Sequence, residues 1–295
     1  SIPYKDQLMA PLSCISKFRN LIHFRSSFMY FLGNNDSFAD AFFALPNLEV
    51  IETRGGRLFR RIPQGIHPNS KLKDISITNH GVGGSLPDSI SNLKSLVILD
   101  LMHNNFTGRL PNGISNLKPL SRLMLGGNDL EGEVPNGVTR LTRLTQLHLG
   151  GNRLHGKIDF ITVLTRVKRL NLETNAFTGT VPSKISNLED LLGLKLGKNK
   201  LHGNLNFITN LKSLQTLELG YNNFTGKLPN GISKLTRLSS LGLRVNNLAG
   251  EVPQKLTRLT KMTQLHFGGN RFHGGIAFIT ALTRMQYLNL EANAF

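Results

Sequence analysis

The chain has 295 residues and a formal net charge of +17. A chain this basic attracts negatively charged partners over long distances, yet no run of basic residues forms a nucleic-acid arm and no stretch is long and apolar enough to span a bilayer. The single cysteine, Cys14, excludes a disulfide within the chain and is expected to be a small buried residue.

The first 44 residues carry only a weak pattern. Four apolar residues follow one another at three-residue spacing, namely Ile15, Phe18, Leu21 and Phe24. This spacing predicts a degenerate first repeat. The stretch 31–44 fits no repeat and predicts a loop or insertion.

From residue 45 to residue 295 the chain repeats itself with a period of 23 or 24 residues. Each copy has the frame L-x-x-L-x-L-x-x-N-x-L/F-x-G, as in the copy from Leu144 to Gly156. An asparagine marks the same place in nine copies: Asn104, Asn128, Asn152, Asn175, Asn199, Asn222, Asn246, Asn270 and Asn293. Two earlier copies keep the apolar frame, with His80 and Gly56 in the asparagine position.

The L-x-L segment of each copy places two leucines on one face of a strand, because strand side chains alternate. One such strand cannot bury its leucines alone, whereas stacked copies bury them together in a continuous core. The asparagine carries a donor and an acceptor on a short arm, so a ladder of asparagines is predicted to satisfy backbone groups where the chain leaves each strand. The period therefore predicts a solenoid, which presents a long surface rather than a deep pocket.

The copies continue as N-x-L/F-x-G-x-[ILV]-P, as in the stretch from Phe106 to Pro111. This motif resembles the plant-type leucine-rich repeat of plant receptor-kinase ectodomains and polygalacturonase-inhibiting proteins. The resemblance covers residues 45–295 and implies an α/β repeat solenoid, a leucine-rich-repeat horseshoe with a concave parallel sheet and a second short sheet beside it. Eleven to twelve repeats of 23–24 residues are expected.

The chain departs from this pattern in its cysteines, its prolines and its end. Family members normally carry paired cysteines in a terminal cap, whereas this chain has one cysteine. Three copies lack the proline and are one residue shorter, at His155, His202 and His273. The chain stops at Phe295 directly after a repeat frame, and because solenoids need polar caps, we expect the C-terminus to be incomplete.

A large block of the chain is duplicated. Residues 106–177 align without gaps to residues 224–295 with about two-thirds identity, at an offset of 118 residues or five repeats. Surface residues that are identical in the two copies can therefore recur by common descent.

The side chains between the core leucines are expected to face the concave side. They are mixed in charge and poor in aromatics, with several glycines among them, which predicts a docking surface for an extended partner. Arginine and tyrosine are favoured there because both are enriched at binding hot spots. The candidate partner-binding residues are Arg122, His148, Arg169, Glu173, Lys195, Lys198, Glu218, Tyr221, Arg244 and His266.

A basic set is expected on the convex side, either for solubility or for attachment to an acidic polysaccharide. Its members are Arg140, Arg143, Arg166, Lys168, Lys212, Lys234, Arg237, Arg258, Lys261 and Arg284. Three sequons for N-glycosylation begin at Asn35, Asn105 and Asn223. The second and third follow a ladder asparagine and are expected to point outward, which favours a secreted glycoprotein.

No catalytic motif is present: the sequence has no G-x-S-x-G, no H-E-x-x-H and no P-loop. His148 and His266 lie five predicted strands apart, about 24 Å at about 4.8 Å per strand, so they cannot share a metal ion. We expect no enzymatic activity, no cofactor and no metal.

These features predict a non-enzymatic recognition protein that binds a protein or peptide through the concave face, as the inhibitors and receptors of the family do. The expected location is the extracellular space or cell wall. Two alternatives remain open: a structural subunit of a large assembly, with an organellar or intracellular location, and a protein that binds a polysaccharide or ice surface. No specific nucleic acid and no membrane span are expected.

Overall fold

The computed structural model describes residue 15 and residues 17–30, 35–58, 60–68 and 70–295. The chain forms two compact units. Unit 1 ends at Leu144, and unit 2 runs from Thr145 to Phe295. Cys14 and the side chain of Asn35 lie outside the described residues, so the expectations for them stay predictions.

Unit 1 is built from parallel strands in two sheets. The first sheet has the order β1-β2-β3-β5-β7 and the second β4-β6-β8. The strands are β1 (His23–Tyr30), β2 (Val50–Arg57), β3 (Asp74–Thr78), β4 (Gly83–Ser85), β5 (Ile98–Asp100), β6 (Asn105–Arg109), β7 (Arg122–Met124) and β8 (Asp129–Glu133).

The segment between β1 and β2 contains a helix, α1 (Asn35–Phe43). For the stretch 31–44 a loop or an insertion is predicted; the helix contradicts the loop over residues 35–43, and the insertion stays a prediction. Phe38 and Phe42 lie on one face of α1, four residues apart, and are buried. The ring of Phe42 packs edge-on against Phe24 of β1 at 4.7 Å, so a local apolar contact fixes the helix although no repeat pattern marks it. The domain boundary at residue 45 stays a prediction.

Unit 2 repeats the same arrangement. Its first sheet has the order β9-β11-β13-β15-β17-β19-β21 and its second β10-β12-β14-β16-β18-β20, with all strands parallel. The strands are β9 (Gln146–His148), β10 (Arg153–Gly156), β11 (Arg169–Asn171), β12 (Ala176–Thr180), β13 (Gly193–Lys195), β14 (Lys200–Gly203), β15 (Thr216–Glu218), β16 (Asn223–Gly226), β17 (Ser240–Gly242), β18 (Asn247–Glu251), β19 (Gln264–His266), β20 (Arg271–His273) and β21 (Tyr287–Asn289).

A short 3-10 helix follows each strand of the second sheet. In unit 1 these helices are Asp88–Asn92, Asn112–Asn116 and Asn136–Arg140. In unit 2 they are Asp159–Val163, Ser183–Asn187, Asn206–Asn210, Asn230–Lys234, Gln254–Arg258 and Ala277–Ala281.

Two kinds of residue precede these helices. A proline stands there in the 24-residue copies, as Pro229 does with a φ of −70°, which its ring favours. The shorter copies have an aliphatic residue instead, such as Leu205, and the phenylalanine that follows within the helix, Phe207, is buried.

The core of unit 2 consists of leucines stacked from repeat to repeat. Leu194, Leu217, Leu241 and Leu265 pair in register along the first sheet and have no exposed surface. Full burial of each contributes about 1.5–3 kcal/mol. The alternation that the period predicts is confirmed, because the residues on either side of each of these leucines lie on the opposite face of the strand.

The asparagines link successive repeats through the backbone. Asn222 is representative: its Nδ2 donates to the carbonyls of Leu196 and Leu219 at 2.9 and 3.0 Å, and its Oδ1 accepts from the Leu201 N–H at 3.0 Å. The same two carbonyls also accept from the neighbouring asparagines, Asn199 and Asn246. Each repeat is therefore tied to the one before and the one after it.

His80 occupies the ladder position of its repeat in unit 1. It is 2 % exposed, and neither ring nitrogen has a hydrogen-bond partner. The Oγ1 of the buried Thr53 is also without a partner. Burial lowers the pKa of His80, and the backbone of nearby Thr53 offsets this only in part. The His80 side chain therefore does not make the hydrogen bonds that the ladder asparagines make.

Candidate binding face of unit 2

The exposed face of the first sheet in unit 2, hereafter the binding face, is formed by the side chains that flank the core leucines. One column along it runs through Lys195, Glu218, Gly242, His266 and Asn289, which pair in register on successive strands. This register is the one that the period predicts. The only glycine of the column, Gly242, lies between the larger side chains of Glu218 and His266.

Tyr221 is an exposed aromatic side chain near the middle of the binding face, with 41 % of its surface accessible. Two cations lie over its ring, one from each neighbouring repeat. Lys198 Nζ is 5.9 Å and Arg244 Cζ 5.7 Å from the ring centroid. Contacts of this kind contribute about 0.5–1 kcal/mol at exposed sites, so the three side chains hold one another in place.

The backbone of Tyr221 has a φ of +58°, in the left-handed region. Lys198 and Val245 occupy the same place in the adjacent repeats with a φ of +53°, and Gly151 and Gly269 occupy it elsewhere. A side chain in this conformation costs about 1 kcal/mol relative to glycine. The conformation belongs to the repeat, because His103, Thr174 and Ala292 also adopt it at this position.

Glu218 is the centre of a polar group beside Tyr221. Its Oε1 accepts a hydrogen bond from Ser240 Oγ at 2.7 Å, and that hydroxyl lies 3.3 Å from Gln264 Oε1. Burial raises the pKa of Glu218, whereas the Ser240 hydrogen bond and the charges of His266 and Lys195 oppose the rise. Glu173 adds to the rise, so burial outweighs the groups that favour the charged form of this carboxylate.

Glycines make room for these side chains. A methyl group at Gly242 would overlap the Glu218 carboxylate, and one at Gly150 would lie 2.6 Å from Asn171 Oδ1. Both glycines are needed because a side chain of the adjacent repeat covers them. Side chains of adjacent repeats therefore occupy part of the space beside these glycines, and the glycines do not form an open groove.

A second polar group lies at the start of unit 2. Asn171 Nδ2 is 2.9 Å from His148 Nε2, and Asn171 Oδ1 accepts from the Glu173 N–H at 2.9 Å. At the other end of the face, Arg244 and Glu291 form an ion pair at 3.1 Å across two repeats. This pair is exposed and contributes at most about 1 kcal/mol.

Nine of the ten predicted contact residues lie in unit 2. Arg122 is the exception, since it belongs to β7 of unit 1. Eight of the other nine lie in three groups, around Tyr221, around Glu218 and around His148. Arg169 lies in none of these groups and is exposed on β11. Their role in binding stays a prediction.

Four residues of the binding face were missed among the predicted contacts: Asn171, Ser240, Gln264 and Glu291. Glu291 could have been found, because it is the duplicate of Glu173, which was predicted. Ser240 and Gln264 matter through their contacts with Glu218, which the sequence does not reveal.

The corresponding face of unit 1 is more acidic. Arg25 and Glu52 form an ion pair at 2.6 Å, and Ser76 Oγ donates to Asp74 at 2.7 Å. Burial raises the pKa values of Asp74 and of Asp100 on β5. This face has no exposed aromatic side chain on β3, β5 or β7.

In unit 2 no member of the basic set belongs to a strand of the first sheet, and the sequon asparagines Asn105 and Asn223 belong to strands of the second sheet. The members of the basic set in unit 2 are all exposed, namely Arg166, Lys168, Lys212, Lys234, Arg237, Arg258, Lys261 and Arg284. Two of them, with Gln215 and Ser239, line an open depression of about 480 Å³. Asn105 and Asn223 are exposed at the first positions of β6 and β16.

The Leucine Rich Repeat family model matches residues 95–117 and 213–235. Among solved structures, the Arabidopsis receptor kinase HAESA, in complex with the peptide hormone IDA and the co-receptor SERK1, superposes with a TM-score of 0.82. It is 29 % identical over 96 % of this chain. The chain carries leucine-rich repeats of the plant type and shares the fold of plant receptor structures.

The ectodomain of the Arabidopsis thaliana receptor kinase GASSHO1/SCHENGEN3, in complex with CASPARIAN STRIP INTEGRITY FACTOR 2, also matches this chain. It is 26 % identical over 96 % of the chain, with a TM-score of 0.76. The chain spans 47 % of the HAESA structure and 37 % of the GASSHO1 structure, less than half of either.

A plant ice-binding protein shares the fold of this chain. Its TM-score is 0.63 and its identity 21 %, over 93 % of this chain and 83 % of that structure. None of the curated proteins matches the sequence significantly.

Two further observations concern the residues that the structure describes. None of their helices has the length and apolar character needed to cross a membrane. No three histidine, cysteine, aspartate or glutamate side chains among them come together as a possible metal site.

Proposed function

We propose that this protein binds an extended segment of a partner protein or peptide on the binding face of unit 2. The observation that carries the proposal is Tyr221, the exposed aromatic residue between two cations on this face. Tyrosine and arginine are enriched among hot spots.

The chemistry of the face indicates the kind of partner. Lys198 and Arg244 flank the Tyr221 ring, so an apolar or aromatic side chain near the ring can be accompanied by a carboxylate on Lys198, whereas a carboxylate on Arg244 would compete with Glu291. The net charge of +17 attracts an acidic segment before contact. The two receptor structures are complexes with named ligands, which supports a receptor-like rather than an inhibitor-like function for this chain.

Tyr221→Ala is expected to weaken partner binding about tenfold or more, because it removes the proposed anchor and its two cation contacts. Val163→Ala is the matched control, since Val163 is similarly exposed but lies in a 3-10 helix. Both proteins and the unmodified chain would serve as baits on material from the native source, and the affinity for the recovered partner would be measured for each.

An equal affinity of the Tyr221 and Val163 variants would contradict the proposal. Several co-purifying subunits that resist raised salt and ignore both variants would instead favour the structural-subunit alternative.

We further propose an extracellular location with N-linked glycans at Asn105 and Asn223. Both side chains are exposed, as is the threonine two residues later in each sequon. Expression through a secretory pathway is expected to give a protein whose mobility increases on enzymatic deglycosylation. The double variant Asn105→Gln/Asn223→Gln should migrate like the deglycosylated protein, and unchanged mobility of the starting material would refute the assignment.

A second candidate function, binding of an acidic polysaccharide, is favoured by the depression between Arg237 and Lys261. Its other lining residues, Gln215 and Ser239, offer hydrogen bonds to sugar hydroxyls. Neutralising Arg166, Arg237 and Arg284 with glutamine is expected to weaken binding to polygalacturonate about tenfold at low salt.

The matched control for this test removes the same charge elsewhere. Lys200, Lys227 and Arg271 are exposed on or beside the second sheet of unit 2, and they would also be replaced by glutamine. Equal losses in both triple variants would show that net charge alone acts, and that the depression is no site.

A further inference from the structure

We infer that a depression on the second sheet of unit 2 binds a neutral oligosaccharide. The depression has a volume of about 620 Å³, which is within the range of about 300–1,000 Å³ for sites of small ligands. It lies where β16, β18 and β20 end, and the 3-10 helices that follow the first two strands also line it. It shares no lining residue with the binding face or with the depression at Arg237, so this inference is independent of the proposed function.

The order of the repeats explains the apolar part of the depression. Two 24-residue copies follow each other here, so the half-buried prolines Pro229 and Pro253 lie on neighbouring repeats, and the short copy at His273 comes next. The remaining proline of unit 2, Pro182, stands between two short copies. A pair of neighbouring prolines therefore occurs once in unit 2, at this depression.

Two glycines shape the ends of the depression. A methyl group at Gly275 would meet no atom within 4 Å, so the depression is open there, whereas the other short copies of unit 2 have Lys157 and Asn204 at this place. At the other end, the alkyl chain of Lys227 lies along Gly250, where a methyl group would be 3.0 Å from it. The depression thus has a wall on one side and an opening on the other.

Five polar side chains line the depression, one or two from each of three successive repeats. They are Lys227, Asn230, Glu251, Gln254 and His273. All five residues are exposed, and none of their side chains forms a hydrogen bond or an ion pair with another described residue. Their donors and acceptors are therefore available to a ligand, and binding breaks no contact within the protein.

The chemistry of these side chains selects a neutral ligand rich in hydroxyl groups. The charges of Lys227 and Glu251 cancel, so the depression favours neither an anion nor a cation. The carboxamides of Asn230 and Gln254 each carry donors and acceptors, which matches sugar hydroxyls because each hydroxyl both donates and accepts. The two proline rings offer apolar surface to the C–H groups of a sugar ring.

The length of the depression and the residues in its lining narrow the ligand further. From β16 to β20 there are two strand intervals, or about 10 Å at about 4.8 Å each. This length exceeds one sugar ring, so an oligosaccharide contacts the polar groups of all three repeats. The lining contains no tryptophan, tyrosine or arginine, the residues that most often anchor a protein partner, so a protein segment is the poorer match.

The test measures binding of neutral oligosaccharides of glucose, xylose, mannose and galactose to the whole chain by titration calorimetry. The chain would be expressed without N-linked glycans, so that no attached sugar competes. We expect one of the four series to bind, and Asn230→Ala and Gln254→Ala each to weaken its binding about tenfold, because each removes the hydrogen bonds of one carboxamide. Asn206→Ala is the matched control, since Asn206 is also exposed at the start of a 3-10 helix but does not line the depression.

Two further variants separate this inference from the proposed functions. Tyr221→Ala and Arg237→Gln should bind the oligosaccharide as the unmodified protein does, because neither residue lines the depression. Equal affinities of the Asn230, Gln254 and Asn206 variants would overturn the inference. Binding of none of the four neutral series would also overturn it, whatever the results with the peptide partner and with polygalacturonate.

Discussion

Asn222→Ala is expected to lower the free energy of unfolding by about 3 kcal/mol. The substitution leaves the N–H of Leu201 buried without an acceptor, because Asn222 Oδ1 is its partner at 3.0 Å. The carbonyls of Leu196 and Leu219 each lose one of two donors but keep the other, from Asn199 and Asn246. Most of the expected loss in the free energy of unfolding therefore comes from the unpaired Leu201 N–H. The lost hydrogen bonds of Asn222 and a small cavity add to it.

Chemical denaturation of the variant and the unmodified protein would measure this loss. Asn223→Ala is the matched control, since Asn223 is the next residue but is exposed, and its replacement should change stability by less than about 0.5 kcal/mol. A loss below about 1 kcal/mol for Asn222→Ala would show that the ladder does not hold the repeats together.

His80→Asn is expected to raise the stability of unit 1 by about 2 kcal/mol at neutral pH. The histidine leaves two ring nitrogens and Thr53 Oγ1 without partners in the core. Asn104 donates to the Leu101 carbonyl and accepts from the Val82 N–H. An asparagine at position 80 with the same conformation would donate to the Ile77 carbonyl and accept from the Leu58 N–H. The substitution thus replaces the two unpaired ring nitrogens by a paired carboxamide and leaves Thr53 Oγ1 as it is.

The same substitution should flatten the response of stability to acid. The pKa of His80 is lowered in the folded state, while in the unfolded chain it stays near 6.5. Between the two pKa values the unfolded state binds more protons, so the free energy of unfolding falls as the pH falls below about 6.5. His67→Asn serves as the control, since His67 is exposed.

Denaturation at several pH values between about 5 and 8 would separate the two histidines. An acid-induced loss of stability that is as large in His80→Asn as in the unmodified protein would refute the role assigned to His80.

Much of the fold follows from the sequence because one period sets it. The leucine pair of each copy can only be buried if every copy is a strand in the same register, and the structure has this register in both units. Helix α1 could not be predicted in this way, because it occurs once and is fixed by the contact between Phe24 and Phe42. A period describes what recurs and carries no information about a single insertion.

Less of the candidate site could be predicted. The phase of the repeat places Tyr221, Lys198 and Arg244 on one face, but it does not show that the two cations lie over the ring. Likewise, the glycine at position 242 reads as open space in the sequence, whereas the Glu218 side chain fills it. Side-chain contacts between repeats depend on rotamers, which a repeat pattern leaves undetermined.

The most direct test of the central claim is hydroxyl-radical footprinting of the protein with its bound partner. Oxidation of Tyr221, His148 and His266 should fall on binding, because these side chains lie on the binding face. Oxidation of His155, His202 and His273, which are exposed on the second sheet, should stay unchanged. Protection of the second-sheet histidines with no change at Tyr221 would contradict the assignment of the binding face.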